Sequence, residues 1–374
     1  MGALAAALAV ALSLGVASGD SPPARGLLGR VAPLEGPLLL QVPVLLLVTA
    51  AHELGHLLAA RAAGVAVTAW RIGPLLALRS ARGWRLRLVR SLAPGGHVQT
   101  GAVTGAGGLR ARHAAVMAGG PAAHLALAAL ATGLAVPAGA PALWLTAGTL
   151  WLSFAADLLP LAGPGGAWTD GRWLLAWLRS PGRAAQRLAT GVLLAELARG
   201  RRPREWDERW VTLAAAGHRQ PADGTHATGC ALAYAWALDR GDVDAAARFI
   251  TRAFSARSRL SSRSRTAMAA ETAFFVARYR RDARLAARLM EVDRAGLGRA
   301  READRERAGA AIHLAAGRPA EALAACDRAL RALDREGGRP QGRSPFGREL
   351  VLAMSEEARA ALDGGSSPAR AAVI

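Results

Sequence analysis

The 374-residue chain has no lysine and no asparagine, and only two cysteines and two tyrosines. Without lysine, the net charge of +19 comes from arginine alone. Those arginines are scattered among Asp and Glu on amphipathic stretches rather than gathered beside stacking aromatics, which removes the usual ground for expecting a nucleic-acid partner. Cys230 and Cys326 stand too far apart for a Cys-x-x-Cys site, so they indicate neither a disulfide framework nor a redox compartment. Acidic residues are scarce in the first part, where residues 1–171 carry only Asp20, Glu35, Glu53, Asp157 and Asp170. With 52% apolar residues, a small soluble module is excluded and several membrane spans become affordable in composition.

Four apolar segments approach spanning length, at about 3–18, 38–60, 114–136 and 142–161. The first has no Lys or Arg ahead of its apolar run, which favours a retained anchor over a cleaved signal peptide ending near Ala17-Ser18-Gly19. Between the second and third segments the chain alternates with a period near two, as in Trp84-Arg85-Leu86-Arg87-Leu88-Val89-Arg90. That pattern predicts a β-hairpin or small sheet at the membrane interface. From Arg61 to Arg112 there are nine arginines and no acid, so this stretch is expected on the cytoplasmic side. The expected protein is therefore multi-pass in the cell membrane, with its C-terminal part cytoplasmic. Its fold is expected to be mainly α: a polytopic helix bundle with a small interfacial sheet, followed by a soluble helical-repeat domain. The corresponding boundaries are 1–180 for the membrane domain, 181–215 for a helical linker, 216–340 for the repeats and 341–374 for a largely disordered tail. The break between halves is expected near Ser180-Pro181-Gly182.

The second apolar segment contains His52-Glu53-Leu54-Gly55-His56. On a helix the two histidines lie four residues apart on one face and can grip one Zn²⁺, with Glu53 as the general base acting on an activated water. Three ionisable groups inside an apolar span are costly unless liganded or paired, which makes a functional site the default over a chance pattern. A third protein ligand is required. Two acids are available in the later apolar part, Asp157 within the run and Asp170 after a Gly- and Pro-rich break. An N-cap role for Asp170 weighs equally with a ligand role on spacing alone.

Four motifs then stand in order: HELGHLLAARAAGV, LAPGGHV, AGGPAAHLALA and DLLPLAGPGGAWTDG. Together, over about residues 38–178, they resemble the site-2 protease family of intramembrane zinc metalloproteases. The resemblance implies that Asp170 is the third zinc ligand, that the substrate is a membrane-embedded protein helix, and that cleavage occurs within or near the lipid bilayer. It also implies substrate-positioning roles for Gly95, Gly96, His124 and Asp157. At the last two positions this chain departs from the asparagine usual in the family, which puts substrate positioning in doubt. A catalytically impaired membrane anchor that recruits partners is the alternative.

In the C-terminal half, similar turn-plus-helix starts at Gly241-Asp242, Arg281-Asp282 and Gly317-Arg318 lie 40 and 36 residues apart, a spacing that resembles tetratricopeptide-like repeats. Such repeats imply a docking groove for a protein partner, against the alternative of a helical bundle with none. A helix at Arg348 to Leu362 is expected within the tail.

Overall fold

The computed structural model describes residues 35–80, 83–89, 96–103, 108–138, 141–161, 168–217, 224–292, 301–336 and 345–363. The expected first span at 3–18 and Gly95 lie outside the described residues. The protein is mainly helical with one small antiparallel sheet, and it divides into two compact units, Met1–Ala184 and Ala185–Ile374.

The first unit opens with α1 (Glu35–Ala62), followed by strands β1 (Val65–Ile72), β2 (Leu75–Ser80), β3 (Gly83–Leu88) and β4 (Gly96–Val103). Three helices follow, α2 (Leu109–Ala138), α3 (Pro141–Leu158) and α4 (Asp170–Arg179). Among the described residues, two stretches are long and apolar enough to cross a membrane, Pro43–Ala62 and Leu109–Ala138, and Leu143–Leu158 is a shorter apolar helix. Their packing follows from small residues. A Cβ added at Gly55 would collide with the Gly119 carbonyl, and one at Gly119 with the Gly55 carbonyl, so α1 and α2 cross with their backbones in contact. Below that crossing, Val48, Ala128, Ala131, Ala147 and Leu150 knit α1, α2 and α3 together. Above it, Ala60, Val65 and Val116 join the end of α1 to β1 and α2. The outward faces stay apolar, with Leu47, Leu54, Leu58, Leu130, Leu134 and Trp151 among the exposed residues, a pattern suited to lipid rather than water.

The sheet has the order β3-β2-β1-β4, every pairing antiparallel. Gly73, with φ of 53°, turns β1 into β2 so that Ile72 faces Leu75, a conformation that glycine adopts without steric cost. The alternating stretch does form a strand, β3, yet both its faces are exposed because it is the outer strand of a single-layer sheet. His113 is buried on α2, its ring stacked on Trp177 of α4.

The second unit is built of helices. The segment expected as a helical linker, 181–215, is helical and carries buried residues. Leu188, Ala189, Val192 and Leu193 of α5 (Pro181–Ala198) are buried, and Gln186 donates to the carbonyls of Ala214 (3.0 Å) and Ala216 (2.8 Å) at the end of α6 (Glu208–Ala214). Three hairpins follow: α7 (Gly224–Asp239) with α8 (Val243–Ser255), α9 (Ser262–Arg280) with α10 (Ala283–Glu291), and α11 (Glu302–Ala315) with α12 (Pro319–Glu336). Each turn holds one left-handed residue, Gly241, Arg281 and Gly317 in order, and Asp242 and Asp282 cap the next helix through the amides of Ala245 and Leu285. Tyr234 of α7 donates to Glu271 of α9 (2.9 Å), which also pairs with Arg307 of α11, so one half-buried carboxylate joins three helices. The tail contains α13 (Pro345–Leu362), whose buried Val351, Met354 and Ala358 give it a packed face, so this part of the tail is ordered. Residues 364–374 lie outside the described residues.

Candidate metal centre

His52, Glu53 and His56 fall on the part of α1 that crosses α2, and the helical spacing puts both imidazoles on the side facing α2. Gly120 lies beneath them: a Cβ there would overlap both rings. Asp170 arrives from the other direction. Thr169 is the N-cap of α4, with its side chain accepting from the Arg172 amide and donating to the Leu159 carbonyl, so Asp170 is the first helical residue and its own carboxylate is not used as the cap. Gly171 allows the approach, since a Cβ there would run into the carbonyl of Leu158 at the end of α3.

The result is a triangle of three electron-rich atoms. His52 Nε2 and His56 Nε2 are 3.0 Å apart, and Asp170 Oδ2 lies 3.1 Å from the first and 3.2 Å from the second. His56 Nδ1 faces the Val116 carbonyl at 2.7 Å and so carries the hydrogen of the neutral ring, leaving a lone pair on Nε2. Lone pairs converging this closely repel one another unless a cation sits among them. Ligands of a tetrahedral zinc at 2.0–2.1 Å are about 3.3 Å from each other, close to the edges of this triangle, and two imidazoles with one carboxylate are an accepted donor set for a catalytic zinc. These three residues can therefore hold a metal ion.

Glu53 is buried, with its Oε2 lacking any hydrogen-bond partner, and its carboxylate lies against Gly96, where a Cβ would overlap it. On the insertion scale an acid at the centre of a span costs about 2.5–3.5 kcal/mol, so an unpartnered carboxylate here is not a passive accident. Asp157 of α3 does not reach the triangle. Its Oδ2 instead lies 3.2 Å from His52 Nδ1 and 2.7 Å from His124 Nδ1. His97 is exposed on β4, across from Arg71 in the β1 register.

Sequence reasoning passed over Gly119, Gly120, Thr169 and the Val116 carbonyl. The doubled glycine ahead of Pro121 was the available signal, since two adjacent glycines within an apolar helix mark a place where something approaches the backbone closely.

No curated protein and no solved structure matches the chain. The sequence model of Peptidase family M50 matches residues 41–324, taking in the His-Glu-x-x-His helix, the sheet, Asp157, Asp170 and most of the helix hairpins. The chain therefore belongs to Peptidase family M50, a family of membrane-embedded zinc metalloproteases.

Proposed function

We propose that the protein is an intramembrane endopeptidase that cuts a membrane-embedded protein substrate, with His52, His56 and Asp170 as zinc ligands and Glu53 as the general base. The observation that carries this reading is the triangle of His52 Nε2, His56 Nε2 and Asp170 Oδ2, with edges of 3.0–3.2 Å, set between apolar helices. Bound there, zinc supplies Lewis-acid charge and makes water acidic enough to attack at neutral pH. Glu53, one residue from His52, takes the proton of the attacking water and returns it to the leaving amine.

Substrate enters as an extended segment. The outer edge of β4 carries no strand among the described residues, and Gly96 at its start touches Glu53. A peptide adding to that edge by main-chain hydrogen bonds brings its carbonyls beside the base, which gives Gly96 its positioning role. Pro43–Ala62 and Leu109–Ala138 cross the bilayer, Leu143–Leu158 completes the bundle, and the arginine-rich sheet faces the cytoplasm together with the C-terminal helices. Those hairpins, tetratricopeptide-like in spacing, offer a surface for a protein partner.

The test is zinc content of the purified full-length protein together with cleavage of co-expressed single-span membrane proteins. The parent binds one zinc. Glu53→Gln keeps it and loses about 10²–10⁴-fold in cleavage, because the base is not a ligand. Undiminished zinc in the His52→Ala, His56→Ala double variant sinks the assignment, and parental cleavage by Glu53→Gln supports the recruiting-anchor reading instead.

A further inference from the structure

The metal triangle uses only one side of His52. On its other side, Nδ1 faces Asp157 Oδ2 at 3.2 Å, and the same oxygen meets His124 Nδ1 at 2.7 Å. His124 reaches the Val48 carbonyl through Nε2 at 3.3 Å, and its ring lies against that of His52 with centroids 4.6 Å apart. His52 Nδ1, His124 Nδ1 and Asp157 Oδ2 are all buried and both nitrogens lie within ion-pair distance of the oxygen, although none of the three has the angles of a hydrogen bond. One residue from each of α1, α2 and α3 is thereby drawn to a single carboxylate oxygen.

We propose that Asp157, itself held by His124, is a positioning residue for His52: it keeps the hydrogen of that ring on Nδ1 and turns the Nε2 lone pair toward Asp170 and His56. The proposal rests on the reading of those three residues as a zinc centre. A histidine ligand binds best when its far nitrogen donates to an outer acceptor, because that fixes both the tautomer and the ring plane and makes the near nitrogen more basic. His56 has such an acceptor in the Val116 carbonyl. For His52 the corresponding acceptor is Asp157, a full negative charge in place of a carbonyl dipole.

A second cation among His52, His124 and Asp157 is the competing reading of the same cluster. Distance decides between them. Two ligands of one tetrahedral zinc lie about 3.3 Å apart. The 2.7 Å contact of His124 with Asp157 is instead the length of a charge-assisted N–H···O bond. A metal at each nitrogen of His52 would further strip both protons from one ring. The joint presence of histidine and aspartate also makes sense together: a carboxylate in an apolar helix costs about 2.5–3.5 kcal/mol when unpartnered, and His124 supplies the partner that frees Asp157 to face His52.

The test is zinc affinity of the full-length protein in detergent, measured by chelator competition, with the visible spectrum of the Co²⁺-substituted protein as a second readout. Asp157→Asn should weaken zinc by about 10–100-fold and shift the cobalt bands, while stoichiometry stays at one. His124→Gln should weaken it less, and the double variant no more than Asp157→Asn alone, because His124 acts through Asp157. Asp157→Glu, which keeps the charge, should recover part of the loss. Affinity within about twofold of the parent with unmoved cobalt bands in Asp157→Asn overturns the proposal, as do additive losses or two zinc ions per chain. Should Asp157→Asn not fold, unmoved cobalt bands in His124→Gln overturn it equally. A parent that binds no zinc, or a His52→Ala variant that still does, refutes the zinc centre and this inference with it. One zinc in the parent with Asp157→Asn unaffected refutes the positioning role alone.

Discussion

Both units of the protein are helical and rich in alanine, yet they treat buried charge in opposite ways. In the second unit the carboxylates withdrawn from solvent are spent on structure: buried Glu196 accepts from Arg199 and Arg201, and half-buried Glu271 accepts from Tyr234 and Arg307, as Asp239 does from Arg202 and the Arg204 amide. In the first unit Glu53 Oε2 is buried with no partner, and Asp157 Oδ2 is buried without the angles of a hydrogen bond to the two rings beside it. No carboxylate oxygen is left in that condition in the second unit among the described residues. Satisfied groups hold helices together, whereas convergent unsatisfied ones mark the place where something else must bind or react.

Removing a partner on the structural side gives the largest expected effect. Arg307→Ala leaves the half-buried Glu271 without its cation and should cost about 2–4 kcal/mol in the unfolding of the helical unit. Zinc content should not change. Denaturant unfolding combined with metal analysis checks both halves, and loss of zinc in this variant would break the division of labour between the units.

Glycine substitutions sharpen the same contrast at smaller cost. Gly120→Ala places a methyl group against the imidazoles of His52 and His56 and should cost about 1–3 kcal/mol while displacing the ligands and lowering zinc occupancy. Gly309→Ala on α11 meets nothing within 4 Å and should instead stabilise the helix by up to about 1 kcal/mol. Thermal unfolding and zinc content of the two variants, side by side, measure how far the small residues of each unit are committed to close approach.

The smallest effect is a pH dependence confined to the second unit. Burial by itself would raise the Glu357 carboxyl, but the hydrogen bonds and charges of Arg278 and Arg281 hold it below its ordinary value of 4.5. A carboxyl depressed in the folded state stabilises above its unfolded pKa, and that contribution disappears as pH falls through the folded value. Because Glu357 remains partly exposed, solvent screening limits this to about 0.5–1 kcal/mol. The protection of the α13 amides, taken against intrinsic exchange at the same pH, should fall below about pH 4.5 in the parent, and Glu357→Gln should show the lower protection already at neutral pH.

The helical register of His52, Glu53 and His56 was legible because it depends only on residues four apart on one helix. The same is true of the turns at Gly241, Arg281 and Gly317, where the sequence placed the start of a new helix and the chain adopts a left-handed residue. An apolar helical face over 181–215 looks the same in sequence whether it packs into a domain or not, and the burial of Leu188, Val192 and Leu193 is visible only in the tertiary structure. Likewise the alternation in β3 predicts a strand but cannot say that the strand lies at the outer edge with both faces open.

By itself the sequence determined the two halves, the apolar helices, the strand-forming stretch and the paired histidines, since each is written in short-range period and composition. Only the tertiary structure brings Asp170 against both histidines of the motif and Asp157 against one of them, although the chain presents the two as similar acids 13 positions apart. Thr169 takes the cap and leaves Asp170 free to meet both histidines, whereas Asp157 ends between His52 and His124. The physical reason is that spacing along one helix is set by its own backbone. The meeting of three helices is set instead by how closely Gly55, Gly119, Gly120 and Gly171 let their neighbours approach.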